Sequence, residues 1–143
     1  MQVFRSVDYT AATLVGRGLK VMLATAQPEG GTADKLSRLG GSVEVMEESY
    51  SALAAMLDDP QGYGLFVMDA DSLGGIVEAS RIVALLHASQ PRMPVILISA
   101  SCGPQIFPEE VSEPIMLRAP VSNVSLRVGF EHALRDRMVW QAA

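Results

Sequence analysis

The chain has 143 residues, of which 49% are hydrophobic and 19% are charged. This composition is typical of one compact domain rather than of a disordered chain. The net charge of −5, without any cluster of lysine and arginine, excludes nucleic-acid binding through phosphate neutralisation. The single cysteine, Cys102, excludes an internal disulfide and a cysteine-rich zinc site.

The sequence carries no sign of a membrane span or a secretory signal. No apolar run approaches the roughly 18 residues that a span requires. The start of the chain, MQVFRSVDYTAATLVGRG, lacks the basic start and apolar core of a signal peptide. We therefore expect a cytoplasmic protein without membrane contact, in which residues 1–18 are an N-terminal extension and residues 19–143 form the domain.

Short apolar runs alternate with helical patterns in the first half of the domain. Three strands are predicted: KVMLA (20–24), VEVM (43–46) and LFVM (65–68). The helices between them are predicted from apolar residues three or four positions apart: Ala33, Leu36 and Leu39, and then Leu53, Met56 and Leu57. Ser49 is predicted to cap the second of these helices.

The same alternation continues in the second half. Two strands are predicted, PVILIS (94–99) and PIML (114–117). Two further helices are predicted from their apolar faces: Ile76, Ala79, Val83 and Leu86, and then, after a cap at Ser122, Leu126, Phe130, Ala133 and Leu134. Between the two strands, Pro104 and Pro108 remove backbone donors, so a regular helix there is predicted to be short or missing.

Continuous apolar strands that alternate with amphipathic helices predict an α/β fold with a parallel sheet covered on both faces. In such a sheet, ligands gather beyond the carboxyl ends of the strands. The candidate site residues are therefore those at the carboxyl ends of the strands: Thr25, Ala26, Asp69, Asp71, Ser99 and Ala119.

Three features of these strand ends occur together in one known family. An aspartate closes the third strand in LFVMDAD, PVILISA supplies the fourth strand, and a residue-proline pair follows the fifth in IMLRAP. The chain from about Leu19 to Met138 resembles the receiver domain of bacterial two-component response regulators in these features and in its alternation of strands and helices. The resemblance implies a flavodoxin-like (CheY-like), doubly wound parallel sheet in the order 2-1-3-4-5, and a role in phosphorelay signal transduction.

The resemblance also assigns a role to each strand-end position. Asp69 stands at the phosphoacceptor position, and Ser99 stands where a hydroxyl contacts the phosphoryl group. Thr25 and Ala26 stand where the family has the two acidic residues that hold Mg²⁺. Ala119 stands at the position of the lysine that precedes the proline. Two of these functional positions are therefore kept, whereas the acidic pair and the lysine are lost.

Two neighbouring residues could partly replace the lost lysine and the lost acidic pair. Arg118 is a candidate substitute cation, but side chains alternate along a strand, so it is expected to point away from the side of Ala119. Asp71 is predicted to be a turn or cap residue rather than a metal ligand. The aromatic position of the fifth strand falls on Ile115 or Met116, neither of which is aromatic. These departures predict a degenerate receiver, or pseudo-receiver, without a catalytic residue, a bound metal or a cofactor.

Three functions remain open at this point. The first is a binding module without enzymatic activity, whose partner is a histidine kinase, an output protein or a second copy of the chain. The second is a phosphorylation-competent receiver that uses Asp69 and Mg²⁺. The third is a small anion- or nucleotide-binding domain on the same scaffold, with EGGT (29–32) as its phosphate loop. The missing acidic pair favours the first over the second.

Overall fold

The computed structural model describes residues 19–102, 105–110 and 113–135. The predicted N-terminal extension and the apolar residues Val139 and Trp140 lie outside these ranges. The strands are β1 Lys20–Ala24, β2 Ser42–Met46, β3 Leu65–Asp69, β4 Val95–Ser99 and β5 Ile115–Arg118. The helices are α1 Thr32–Arg38, α2 Ser49–Asp58, α3 Ile76–Ser89 and α4 Asn123–Ala133.

The five strands form one parallel sheet in the order β2-β1-β3-β4-β5, which confirms the predicted α/β architecture and strand order. The register pairs Ala24 with Met68, Asp69 with Ile98, and Ser99 with Arg118. Because all strands run in the same direction, the ends of β1, β3, β4 and β5 meet at one edge of the sheet. The candidate residues are therefore brought to the same edge.

Helices cover both faces of the sheet, which explains why the strands are apolar without alternation. One face packs on α2 and α3 and buries, among others, Met22, Phe66, Leu97, Met56 and Ile82. The other face packs on α1 and α4 and buries, among others, Leu23, Val67, Ile98, Leu36 and Phe130. Within the described residues, no helix combines the length and the apolar character needed to cross a membrane.

The predicted helix ends are only partly correct. The Ser122 hydroxyl accepts a hydrogen bond from Ser125 N at 3.0 Å and caps α4 as predicted. Ser49, by contrast, is the first residue of α2, and the extended residue Glu48 takes the cap position. Leu57 is 37% exposed, because the buried stripe of α2 runs through Ala52, Leu53 and Met56 instead.

The segment between β4 and β5 is irregular, as the two prolines predicted. Its described residues, 100–102, 105–110 and 113–114, contain no helix. Ile106 instead forms an isolated antiparallel bridge with Met116, with hydrogen bonds of 2.9 and 3.0 Å. The carbonyl of Pro108 accepts hydrogen bonds from the side chains of His132 and Arg135. Hydrogen bonds therefore hold this segment against the outer edge of β5 and the end of α4.

Candidate functional site

The site begins with the turn that follows β3. Residues Ala70–Leu73 form a 3-10 turn directly after Asp69, and Gly74 and Gly75 follow with φ angles of 100° and 97°. Residues that carry a side chain rarely adopt positive φ angles of this size, so glycine is the residue that suits both positions. The turn keeps Asp69 and Asp71 beside the strand ends before α3 begins. We refer to the polar residues Thr25, Asp69, Asp71, Ser72 and Ser99 as the strand-end site.

Thr25 binds the candidate phosphoacceptor directly. Its side chain is only 3% exposed, and its Oγ1 donates a hydrogen bond of 2.9 Å to Asp69 Oδ2. The same hydroxyl accepts a hydrogen bond of 3.1 Å from Gln27 N. The first residue of the lost acidic pair therefore supplies a hydroxyl donor to Asp69 where the resemblance implies a carboxylate.

Ser72 joins the turn after β3 to the loop after β1. Its hydroxyl donates to the carbonyl oxygen of Asp69 at 3.2 Å and accepts from Ala26 N at 3.0 Å. Ala26 has no side-chain oxygen, so it contributes only its backbone N–H to the site. No local pattern predicted this connection, because Ser72 stands in a turn where serine is common.

Asp71 reaches across to the end of β4. Ser99, which is fully buried, donates from Oγ to Asp71 Oδ1 at 2.5 Å. Ala100 N donates to Asp71 Oδ2 at 2.7 Å. The prediction of a turn residue is confirmed by its place in the 3-10 turn, but the carboxylate binds a neighbouring strand rather than its own turn. A buried serine at a strand end needs a hydrogen-bond partner, which was the one sequence signal for this contact.

Cys102 lies beside this pair. Burial raises the pKa of its thiol, and the Asp71 carboxylate raises it further, whereas the backbone hydrogen bond to Ser99 opposes the change. Cys102 N donates to the carbonyl oxygen of Ser99 at 3.2 Å. A raised pKa keeps a thiol protonated and unreactive at neutral pH. Cys102 is therefore a buried neighbour of the site rather than a nucleophile within it.

Ala119 stands where the resemblance implies a lysine. Ala119 offers a backbone N–H, which donates to the carbonyl oxygen of Ser99 at 3.1 Å. Arg118 ends β5 and is exposed. Met116 packs with α2 and α3, whereas Leu117 and Ala119 pack with α1 and α4. Because side chains alternate between the two faces of the sheet along a strand, Arg118 points away from the face of Ala119. Among the described residues, no lysine or arginine side chain is hydrogen-bonded to either aspartate of the site.

No protein-family model matches the chain, and no curated protein matches it. Solved structures do match. A response regulator receiver domain protein from Clostridium thermocellum superposes with a TM-score of 0.66 over 85% of this chain and 98% of that one, at 15% identity. The fold is that of a receiver domain.

Two further structures support this assignment. A CheY-like receiver domain protein from Methanospirillum hungatei gives a TM-score of 0.64 at 15% identity, covering 86% of this chain and 98% of that one. The N-terminal domain of a response regulator/sensory box/GGDEF three-domain protein from Carboxydothermus hydrogenoformans gives 0.60 at 19% identity, covering 86% and 97%. At such identities the likeness establishes the receiver fold, whereas the chemistry depends on the residues at the site.

The receiver fold implies Mg²⁺, and the residues of the strand-end site can be tested against it. Mg²⁺ demands near-octahedral oxygen ligands and is usually held by one or two carboxylates. Here both oxygens of Asp71 are bound by Ser99 and Ala100, and one oxygen of Asp69 is bound by Thr25. Among the described residues, no group of three or more His, Cys, Asp or Glu could hold a metal ion. With three of the four carboxylate oxygens of Asp69 and Asp71 hydrogen-bonded, this arrangement leaves only Asp69 Oδ1 of these two side chains for a metal ion and fits Mg²⁺ poorly.

Proposed function

We propose that this domain is a receiver-fold signalling module of a two-component system that acts through contact with another protein, without Mg²⁺-dependent phosphorylation of Asp69. One observation carries the proposal: the polar groups of the strand-end site are hydrogen-bonded to one another. Thr25 donates to Asp69, and Ser99 and Ala100 donate to Asp71. The module is then a cytoplasmic binding protein rather than an enzyme, and it requires no cofactor.

The electrostatics of the site support this proposal. Phosphorylation would turn the singly charged Asp69 carboxylate into a group with roughly 1.5 to 2 negative charges, in a site that already contains the Asp71 carboxylate. Two unit charges about 4 Å apart repel by roughly 4 kcal/mol at an effective dielectric constant of about 20. Phosphoryl transfer depends on cations that offset such charge. Ala119 supplies none, and Thr25 and Ala26 supply no carboxylate that would recruit one.

The contact surface that we propose includes α4. Val124 is 72% exposed and Val128 is 45% exposed, and residues four positions apart lie on the same side of a helix. Arg127 and Glu131 are bound to each other beside them, with 3.2 Å between Nε and Oε1. Clustered apolar groups on a surface often mark sites of protein contact. We propose that this side of α4 binds a protein partner or a second copy of the chain.

A phosphorylation-competent receiver is the second candidate, and one observation favours it. Asp69 ends β3 at the phosphoacceptor position and is partly exposed. Its Oδ1 accepts no hydrogen bond from the described residues, so one carboxylate oxygen stays available for attack on a phosphodonor. The third interpretation, an anion- or nucleotide-binding domain, has less support. Within EGGT, Glu29 and Gly30 belong to a short 3-10 turn and Thr32 begins α1, which has only seven residues.

Equilibrium dialysis against Mg²⁺ tests the proposed function. We expect the native domain to bind Mg²⁺ only in the millimolar range or more weakly, and Asp69→Asn to behave in the same way. Ala26→Asp is the informative comparison, because Ala26 is exposed and the change restores one acid of the pair. This variant should bind Mg²⁺ more tightly than the native domain. Micromolar binding by the native domain that is lost in Asp69→Asn would contradict the proposal.

A further inference from the structure

The groove between α2 and α3 carries exposed apolar side chains along its length. Tyr50 Oη donates a hydrogen bond of 3.3 Å to Glu78 Oε1, so the first turns of the two helices lie side by side. Leu57 and Leu85 each come seven residues, or two turns, after these partners and on the same sides of their helices. Tyr50, Leu57 and Leu85 are 50%, 37% and 46% exposed. We refer to this surface as the α2–α3 groove.

The α2–α3 groove has a fixed geometry and an acidic rim. Gln90, directly after α3, donates from Nε2 to the carbonyl oxygen of Met56 at 2.9 Å. The two helices are therefore joined near both ends. Four exposed carboxylates flank the groove: Glu47 and Glu48 before α2, and Asp58 and Asp59 at its end. The surface is thus apolar along its middle and negatively charged at its ends.

The residues that precede Leu19 have a sequence that suits this groove. Their apolar residues recur at the spacing of one stripe on a helix: Val3, Phe4, Val7, Ala11, Leu14 and Val15. Val7 and Leu14 are seven residues apart, the same interval that separates the two levels of the groove. Arg5 and Arg17 stand near the two ends of the stripe, so their charges complement the acidic ends of the groove. Apolar pattern and charge therefore agree.

We propose that residues 3–15 form an amphipathic helix that packs in the α2–α3 groove of the same chain. Leu14 lies at the level of Leu57 and Leu85, and Val7 lies two turns away at the level of Tyr50. The helix thereby covers Leu57, which the buried stripe of α2 leaves exposed. The inference goes beyond the proposed function, because it involves no residue of the strand-end site and does not depend on the chemistry of Asp69.

The start of β1 allows this packing. α2 packs on β1, and α2 and α3 both end at the edge of the sheet where β1 begins, because each connects two parallel strands. The five steps from Leu14 to Leu19 span at most roughly 17 Å, which exceeds the diameter of about 10 to 12 Å of one helix. On the other face, α1 exposes Asp34, Ser37 and Arg38 and no large apolar side chain. The apolar stripe therefore finds its matching surface between α2 and α3.

Methyl NMR of the isotope-labelled full chain tests this inference. We expect nuclear Overhauser contacts between the methyl groups of Leu14 and those of Leu57 and Leu85 in the native chain. A mixture of labelled and unlabelled chains shows whether each contact arises within one chain. Contacts that arise within one chain support the inference, and this measurement requires no variant.

Two double variants provide a matched comparison within the extension. Val7→Asp/Leu14→Asp should shift the methyl signals of Leu57 and Leu85, because carboxylates without partners are costly to bury in an apolar contact. Tyr9→Asp/Thr13→Asp introduces the same charges outside the apolar stripe and should leave these signals in place.

Three results would overturn the inference. The first is the absence of contacts between Leu14 and the groove in the native chain, which would leave the groove to another protein. The second is a contact that arises only between different chains, because the helix would then come from a second copy. The third is a Val7→Asp/Leu14→Asp variant in which the signals of Leu57 and Leu85 do not move.

Discussion

Thr25 Oγ1 lies 2.9 Å from Asp69 Oδ2 and donates a hydrogen bond to it. The residue that follows β1 therefore binds the aspartate at the end of β3 directly, across the pair of central strands. The resemblance to receiver domains implies a metal-binding acidic residue at the position of Thr25. This chain has a neutral hydroxyl there.

Thr25→Val should lower the free energy of unfolding by about 1 to 2 kcal/mol, because it leaves Gln27 N and the partly buried Asp69 carboxylate without a partner. Urea unfolding followed by circular dichroism measures this change. Thr25→Ser is the matched control, since it keeps the hydroxyl and should retain most of the stability. A valine variant as stable as the native domain would contradict the role assigned to this hydrogen bond.

Asp71→Asn should lower the pKa of the Cys102 thiol. The negative charge of Asp71 disfavours the nearby thiolate and, after burial, is the second cause of its raised pKa, so removal of the charge should move the titration to lower pH. Ultraviolet absorbance of the thiolate against pH measures the shift. Glu131→Gln, which removes an exposed carboxylate on α4, is the control and should leave the titration unchanged. An unchanged Cys102 titration in Asp71→Asn would show that the two groups are not close in solution.

The fold could be predicted from the sequence because its determinants are local. Continuous apolar runs such as VILIS are typical of strands in a sheet that is covered on both faces. Apolar residues three or four positions apart then identified the covering helices. The prolines between β4 and β5 predicted the irregular segment equally well, because a proline lacks the backbone N–H donor wherever it stands. Two details of α2 were predicted wrongly. Glu48 rather than Ser49 takes the cap position, and the buried stripe runs through Ala52, Leu53 and Met56, which leaves Leu57 at its side.

The internal contacts of the strand-end site could not be predicted in the same way. Asp69, Ser99, Thr25 and Ala119 were identified because each follows a strand. That Asp71 binds Ser99 depends on the register between β3 and β4 and on the path of the 3-10 turn, which no local pattern contains. Comparison with the receiver pattern showed which acidic and basic residues this sequence lacks at the site. The hydroxyl and amide donors that bind Asp69 and Asp71 became apparent only in the structure.

Tyr63→Phe should make stability less sensitive to alkaline pH. Burial and the hydrogen bond from Tyr63 Oη to Glu44 raise the pKa of Tyr63 to about 12, whereas an unfolded tyrosine titrates near about 10. The folded chain thus keeps a proton that the unfolded chain loses, so the free energy of unfolding is unaffected below pH about 10 and falls as pH rises from there toward 12. Urea unfolding at a series of pH values measures this fall.

The matched control for Tyr63 is Tyr50→Phe, because it makes the same change at a tyrosine that is 50% exposed. Tyr63→Phe should show a shallower decline over this window than both Tyr50→Phe and the native domain. Three equal slopes would mean that the hydrogen bond to Glu44 does not hold the proton of Tyr63 in solution.

Val124→Asp/Val128→Asp should weaken self-association if α4 is the contact surface between copies of the chain. We expect the native chain to sediment as a species larger than the monomer at high concentration, and the double variant to sediment as the monomer, since two carboxylates would be buried in the contact. Val77→Asp on α3 is the control, because Val77 is 73% exposed and lies outside the proposed surface. A strict monomer, unchanged by deletion of residues 1–18, would contradict self-association.

The central claim is that Asp69 is not efficiently phosphorylated, and intact-mass spectrometry after treatment with acetyl phosphate and Mg²⁺ tests it most directly. An authentic receiver domain treated in parallel shows that the reagents are active, and Asp69→Asn shows whether any adduct belongs to that side chain. We expect the native domain to keep its unmodified mass while the authentic receiver gains a phosphoryl group. A substantial phosphoryl adduct on the native domain that is absent from Asp69→Asn would contradict the claim and identify the domain as an active receiver.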